Sequence, residues 1–71
     1  MKPYEIKSEL MARNIRQRAI ARECGVGDSC VSMVIRHSDI AISRPVAEAI
    51  ARKIELPIEL VFTCYARQKA A

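Results

Sequence analysis

Apolar residues recur along the chain at intervals of three and four positions, the spacing that places side chains on one face of an α-helix. Four stripes have this form: Ile6, Leu10 and Met11; Ile20, Ala21 and Cys24; Val31, Val34 and Ile35; and Val46, Ala49, Ile50 and Ile54. We expect these faces to point inward and form the core, and the short apolar run Leu60, Val61 and Phe62 that follows is available to close it. The stripes and this run predict helices from Tyr4 to Ala12 or Arg13, from Ile15 or Arg16 to Cys24, from Asp28 to Arg36, from just after the N-cap candidate Ser43 to Ile54, and from Ile58 to Phe62. The pattern therefore predicts an all-α fold, a compact bundle of about five short helices.

Polar and turn-forming residues connect these stripes. Asn14 is a plausible break between the first and second helices. Residues 37–42 join the third helix to the fourth, and we expect Ile40 or Ile42 to reach the core from this connection. From Thr63 onward the sequence predicts a frayed, polar tail.

The segment Gly25-Val26-Gly27 separates the second and third stripes. A glycine just past a helix end adopts the left-handed backbone conformation that ends the helix at little cost. Asp28 or Ser29 then has the place of an N-cap, because its side-chain oxygen can accept a hydrogen bond from an unpaired backbone N–H. Val26 can fill the corner between the two helices. Residues 16–36 therefore predict a helix-turn-helix, whose second helix is suited to the major groove of DNA.

The length of 71 residues predicts one small domain over residues 1–71, with an ordered core from about 4 to 63. The net charge is +4 and the pI is near 9.3, which indicates a polyanionic partner. Four arginines and no acidic residue lie between Arg13 and Arg22. This basic cluster is either part of a nucleic-acid surface or a face that only improves solubility.

Other function classes find little support in the residues. The three cysteines form no CxxC pair and the chain has one histidine, so we expect reduced thiols and no metal site. No paired carboxylates stand beside a nucleophile and no glycine-rich phosphate loop is present, which argues against an enzyme. No apolar run is long enough to cross a bilayer and there is no signal-peptide pattern. We therefore expect a soluble, cytoplasmic protein with no cofactor, no small-molecule ligand and no membrane partner.

Two segments carry a resemblance to a known family. The first is Gln17-x-x-Ile20-Ala21-x-x-x-Gly25-Val26-x-x-x-x-Val31-Ser32-x-Val34. The second runs from Ile42-Ser43-Arg44-Pro45 through Ala49-Ile50-Ala51 to Ile54-x-Leu56-Pro57-x-x-Leu60-Val61-Phe62. In this order they resemble the small phage-repressor and Cro-like helix-turn-helix domains (λ-repressor-like), including compact phage regulators of the Ner type. The resemblance covers roughly Ile6 to Phe62. It implies sequence-specific DNA binding for transcriptional control in a bacterial cell or a phage-infected host, often as a dimer on a palindrome.

The resemblance also implies roles for individual residues. Gln17 has the position of a glutamine that commonly contacts a phosphate in such domains. The base-reading positions correspond to Asp28, Ser29, Ser32 and Met33, with Arg36 one turn later. Long amide or arginine side chains often read bases in this family, whereas this helix carries short, apolar or acidic ones.

The chemistry of the side chains adds to these roles. Arg16 and Arg18 place donors for a phosphate at the N-terminus of the second helix, and His37 is a phosphate candidate at the far end of the third. Met33 can pack on a thymine methyl group, or it can belong to the core or to a dimer contact. Asp28 can accept from a cytosine amino group, but a capping role is the more favoured interpretation.

Two hypotheses follow. The first is a DNA-binding transcriptional regulator, a phage or prophage Cro-like repressor that binds its double-stranded operator as a homodimer. The second is a protein-interaction module, an antitoxin or an anti-repressor, built on the same fold. The stretch Leu60-Val61-Phe62-x-x-Tyr65 could serve the second function, or it could be the homodimer contact of the first.

Overall fold

The computed structural model describes the backbone of residues 1–69 and the side chains of residues 1–66. This part of the chain contains six helices and no strand, so the all-α prediction is confirmed. The helices are α1 (Pro3–Ala12), α2 (Gln17–Cys24), α3 (Asp28–Arg36), α4 (Arg44–Ile54), α5 (Ile58–Val61) and α6 (Cys64–Lys69). The first five begin and end within one or two residues of the predicted positions.

An aliphatic core holds the helices together. The completely buried aliphatic side chains are Ile6, Ile20, Val31, Ile35, Val46, Ile50 and Val61. All of them belong to the stripes that the spacing of apolar residues assigned to the inward faces. Burial of a side chain of this size stabilises the fold by about 1.5–3 kcal/mol relative to exposure. Cys24, Val26 and Cys30 are half-buried against this core, so Val26 fills the corner between α2 and α3 as predicted.

The sixth helix contradicts the prediction of a frayed, polar tail from Thr63. Tyr65 is buried in the core. The guanidinium of Arg44 on α4 lies 5.3 Å from the centre of the Tyr65 ring, which is a cation–π distance. Burial raises the pKa of the Tyr65 hydroxyl above its ordinary value. Tyr65 belongs to the apolar stretch with Val61 and Phe62, but its spacing did not show whether it joins the core or a partner, and only folding brings Arg44 and the core to it.

Two apolar side chains assigned to the core are exposed. Ile6 and Leu10 lie four positions apart and define the inward face of α1. Met11 lies about 100° further around the helix and is 78 % exposed. Leu60 lies on the outer side of the short helix α5, whose buried residue is Val61. The predictions for Met11 and Leu60 were therefore wrong, because an apolar residue beside a stripe does not have to share its direction.

The connection between α3 and α4 buries a serine in place of an isoleucine. Ile40 and Ile42 are both exposed, so the prediction that one of them reaches the core was wrong. Ser38 is the buried residue of this segment, and its hydroxyl donates a hydrogen bond to the carbonyl oxygen of Met1 at 3.1 Å. The N-terminal segment supplies the acceptor that makes burial of this hydroxyl possible. Nothing in the local sequence indicates that acceptor.

Left-handed residues end the first two helices. This conformation was predicted at Gly25, whereas Asn14 was predicted only as a break. Asn14 follows α1 with φ +56°, and the N–H of Ile15 donates to the carbonyl oxygen of Leu10 at 2.8 Å. Gly25 follows α2 with φ +69°, and the N–H of Val26 donates to the carbonyl oxygen of Ala21 at 3.0 Å. These bonds satisfy carbonyl groups that the helix itself leaves unpaired. The second of them fixes the direction in which the chain enters α3.

Replacing Gly25 with alanine is expected to lower the free energy of unfolding by about 1–2 kcal/mol, the cost of left-handed backbone for an L-residue. A Cβ atom at Gly25 would meet no atom within 4 Å, so the backbone alone accounts for the loss. Gly27→Ser is the control, because Gly27 has φ −79° and ψ 158°, which any residue adopts, and serine is favoured at the N-cap position that Gly27 occupies. Urea denaturation measures both variants. An equal loss at Gly27 would contradict the explanation.

Candidate nucleic-acid interface

An ion pair joins a side chain in the first turn of α2 to one in the first turn of α3. Nε of Arg18, the second residue of α2, lies 3.6 Å from Oδ2 of Asp28, the first residue of α3. Both side chains are well exposed, so the pair itself adds little stability. The N-terminus of each helix is the positive end of its dipole, which favours an anion.

The predicted capping role of Asp28 or Ser29 was wrong. The N-cap of α3 is Gly27, and no side chain accepts a capping hydrogen bond at this end. A capping side chain has to precede the first helical residue, whereas Asp28 is that residue. The Asp28 carboxylate therefore lies in the first turn, near the positive end of the helix dipole, where its ion-pair partner is Arg18. Ser43 does occupy the N-cap position of α4, but its side chain makes no capping hydrogen bond either.

The outward face of α3 carries four of the five predicted base-reading residues. They are Ser29, Ser32, Met33 and Arg36. Helical spacing places these four side chains in one strip about two turns long, opposite the buried residues Val31, Val34 and Ile35. Met33 is 47 % exposed, so the alternative that it belongs to the core was wrong. The strip offers two hydroxyl groups, a thioether and a guanidinium to a ligand.

The predicted phosphate contacts lie at the two ends of the helix-turn-helix. Arg16 is the exposed N-cap residue of α2, and Gln17 is its half-buried first residue. No side chain caps α2, so its first backbone N–H groups can donate to an external acceptor. His37 is the exposed residue at the C-terminal end of α3. The structure thus groups Arg16 and Gln17 with Arg18, and it places His37 beside Arg36.

Acidic residues neutralise some cations and leave others available. Ion pairs join Glu9 to Arg13, Glu48 to Arg44, and Glu23 to both Arg52 and Lys53. Among the lysine and arginine side chains of residues 1–66, those of Lys2, Lys7, Arg16, Arg22 and Arg36 take part in no ion pair. The unpaired arginines of α2 and α3 therefore belong to the helix-turn-helix, while the cations of α4 are paired.

Glu23 bridges α2 to the C-terminal end of α4. One carboxylate oxygen lies 3.0 Å from Nζ of Lys53 and the other lies 3.2 Å from a guanidinium nitrogen of Arg52. Lys53, and to a smaller extent Arg52, lowers the pKa of Glu23 below its ordinary value. The carboxylate therefore stays ionised at neutral pH and holds the two helices in register at the surface.

Two basic residues beside the interface were not among the predicted contacts. Arg22 and Lys53 line an open cleft together with Arg16 and Arg18, where α2 faces the C-terminal end of α4. Arg22 could have been found, because it belongs to the basic cluster that begins at Arg13. No sequence signal points to Lys53, since only the packing of α2 on α4 brings it to this cleft.

The described residues contain neither a cluster of metal-binding side chains nor a helix that could span a membrane. No group of three or more histidine, cysteine, aspartate or glutamate side chains in that part of the chain lies close enough to hold a metal ion. None of the helices over residues 1–69 has the length and apolar character that crossing a membrane requires; the longest, α4, has 11 residues.

Comparison of the chain with protein-family models, with curated proteins and with solved structures gave no match. The resemblance to phage-repressor domains therefore stays a prediction that rests on the two sequence segments described above.

Proposed function

We propose that the protein is a sequence-specific DNA-binding regulator of transcription, a phage or prophage repressor of the Cro-like type that inserts α3 into the major groove of an operator. One observation carries the proposal. An ion pair between Arg18 and Asp28 joins the first turns of α2 and α3, and Ser29, Met33 and Arg36 on the outward face of α3 are exposed. A helix-turn-helix needs this arrangement, because the first helix crosses the DNA backbone while the second reads bases.

Affinity in this proposal comes mainly from phosphate contacts. Arg16, Gln17 and Arg18 donate to the backbone where it passes the N-terminus of α2, and the helix dipole adds to the attraction. Arg36 and His37 donate at the other end of α3. The unpaired state of Arg16 and Arg36 supports this assignment, because no internal carboxylate has to be displaced when DNA binds.

Specificity in this proposal comes from the strip on α3. Ser29 and Ser32 can donate to or accept from several base edges, so they discriminate weakly. Met33 packs on a thymine methyl group, which raises the affinity for an A·T pair at one position. Asp28 is held by Arg18 and therefore acts on the DNA mainly through the position of that arginine.

A homodimer follows from the small size of the strip. A single α3 reads only a few base pairs, whereas two copies on a palindrome double the contacted sequence. The protein-interaction alternative receives less support. Val61, Phe62 and Tyr65 are buried in the core, so the apolar stretch that favoured a protein partner is mostly used inside the fold. Of its four apolar residues, only Leu60 stays exposed.

Selection of bound duplexes from a random DNA pool, at near-physiological salt, tests the proposal. We expect enrichment of an inverted repeat whose half-sites lie about one helical turn apart, roughly 34–36 Å. A single unrepeated motif would retain DNA binding but reject the symmetric dimer. Binding that depends on salt but enriches no sequence would reject the regulator and favour the protein-interaction alternative.

A further inference from the structure

We propose that the cleft between α2 and α4 is a second phosphate-binding site, which holds the DNA backbone beside the segment that α3 reads. The proposal rests on the DNA-binding function above. It adds Arg22 and Lys53 to the phosphate contacts and extends the interface from the helix-turn-helix to α4.

The chemistry of the cleft fits a polyanion. Four of the seven residues that line it are cationic, Arg16, Arg18, Arg22 and Lys53, and no carboxylate is among the described residues that do so. Two of these cations, Arg18 and Lys53, also pair with carboxylates beside the cleft. Pockets that bury small molecules are concave and largely enclosed, whereas this cleft of about 670 Å³ is open. Guanidinium groups match the oxygens of a phosphate in a bidentate fashion. A phosphodiester backbone passing across the surface is therefore the ligand that suits it.

The cleft is continuous with the proposed interface. Arg16 and Arg18 stand at the N-terminus of α2 and also line the cleft, so a strand that contacts this N-terminus can continue along the same side of α2. Arg22 follows Arg18 by four positions, about 6 Å along the helix axis. Side chains four positions apart share one side of a helix, so both arginines can reach phosphates of the same strand.

Lys53 has a natural control next to it in the sequence. Arg52 and Lys53 both pair with Glu23, yet only Lys53 lines the cleft. Lys53→Gln and Arg52→Gln therefore remove the same charge from the same helix end, and each breaks one ion pair with Glu23. A difference between them in DNA binding reports contact with the cleft, because their effects on net charge are equal.

The experiment measures the affinity of the full chain for duplex DNA as a function of salt, for wild type and for Arg22→Gln, Lys53→Gln and Arg52→Gln. Circular dichroism first establishes that each variant is folded. Each contacted phosphate contributes about 0.9 to the slope of log K against log salt. We expect Arg22→Gln and Lys53→Gln each to reduce the slope by about 0.9 on any sequence, while Arg52→Gln leaves it unchanged. On a duplex shortened to the segment under α3, all three variants should match wild type.

Each other outcome overturns a defined part of the proposal. If Arg22→Gln and Lys53→Gln keep the wild-type slope while Arg16→Gln lowers it, the DNA passes the N-terminus of α2 without entering the cleft. If Lys53→Gln and Arg52→Gln reduce the slope equally, the effect comes from net charge alone and the proposed site is rejected. Failure of the wild-type chain to bind duplex DNA would reject the proposed function itself, and the cleft proposal with it.

Discussion

Replacing Phe62 with alanine is expected to lower the free energy of unfolding by about 3–5 kcal/mol, the usual cost of removing a buried phenyl ring. Phe62 directly follows α5 and is almost completely buried. A chain of 71 residues is expected to have a total stability of about 4–10 kcal/mol. The substitution therefore removes a large share of the stability, and a substantial fraction of the variant should be unfolded near physiological temperature.

Leu60→Ala is the control for Phe62→Ala. Leu60 belongs to the same short segment but is 59 % exposed, so its loss should change the free energy of unfolding by no more than about 0.5 kcal/mol. Thermal and urea denaturation followed by circular dichroism measure both variants. Equal destabilisation by the two substitutions would contradict the burial of Phe62, and it would place Leu60 in a contact absent from this structure, such as a dimer interface.

Replacing Ser32 with glutamate is expected to weaken binding to the selected operator about 100-fold or more. Ser32 lies on the outward strip of α3, where a carboxylate would face phosphates and the acceptor groups of base edges. Placing like charges across an interface costs several kcal/mol, and each 1.4 kcal/mol is about a tenfold change in affinity. Fold stability should change little. The new carboxylate would lie four positions after Asp28 and four before Arg36, so local repulsion and attraction roughly offset each other.

Ser8→Glu is the control for Ser32→Glu. It makes the same change of charge on an exposed position of α1 that lines neither the cleft nor the α3 strip. A gel-shift or fluorescence titration at one salt concentration should show only the small loss that a lower net charge produces. If both variants lose affinity equally, α3 is not in the groove. If Ser32→Glu binds as well as wild type, the docking of α3 is wrong.

The part of the candidate site that lies on a single helix, α3, was predictable from the sequence. Ser29, Ser32, Met33 and Arg36 share a face because helical geometry requires it. With the opposite stripe buried, Ser29, Met33 and Arg36 are exposed and Ser32 is half-buried. The predicted capping role of Asp28 was wrong, because a shift of one residue in the start of a helix decides whether a side chain can cap it. Contacts between helices could not be predicted from the hydrophobic pattern of the sequence. Neither the pairing of Arg18 with Asp28 nor the approach of Lys53 to Arg22 leaves a periodic trace in the sequence.

Short-range patterns by themselves determined most of the fold of this protein. The spacing of Val46, Ala49, Ile50 and Ile54 fixed the inward face of α4, because a helix turns once every 3.6 residues. Gly25 and Asn14 marked the ends of α2 and α1, because these residue types accept left-handed backbone. Both signals depend on neighbours within one or two turns, which a sequence displays directly.

The tertiary structure alone decided which faces meet. It buried Tyr65 under Arg44 and turned Ser38 inward toward Met1, while Ile40 and Ile42 stayed at the surface. It also placed the C-terminal end of α4 beside α2, so that Lys53 joined the arginines of the cleft. These outcomes depend on the packing of helices that are distant in the chain. Close packing depends on the shapes of all the faces together, and no local period of the sequence contains that information.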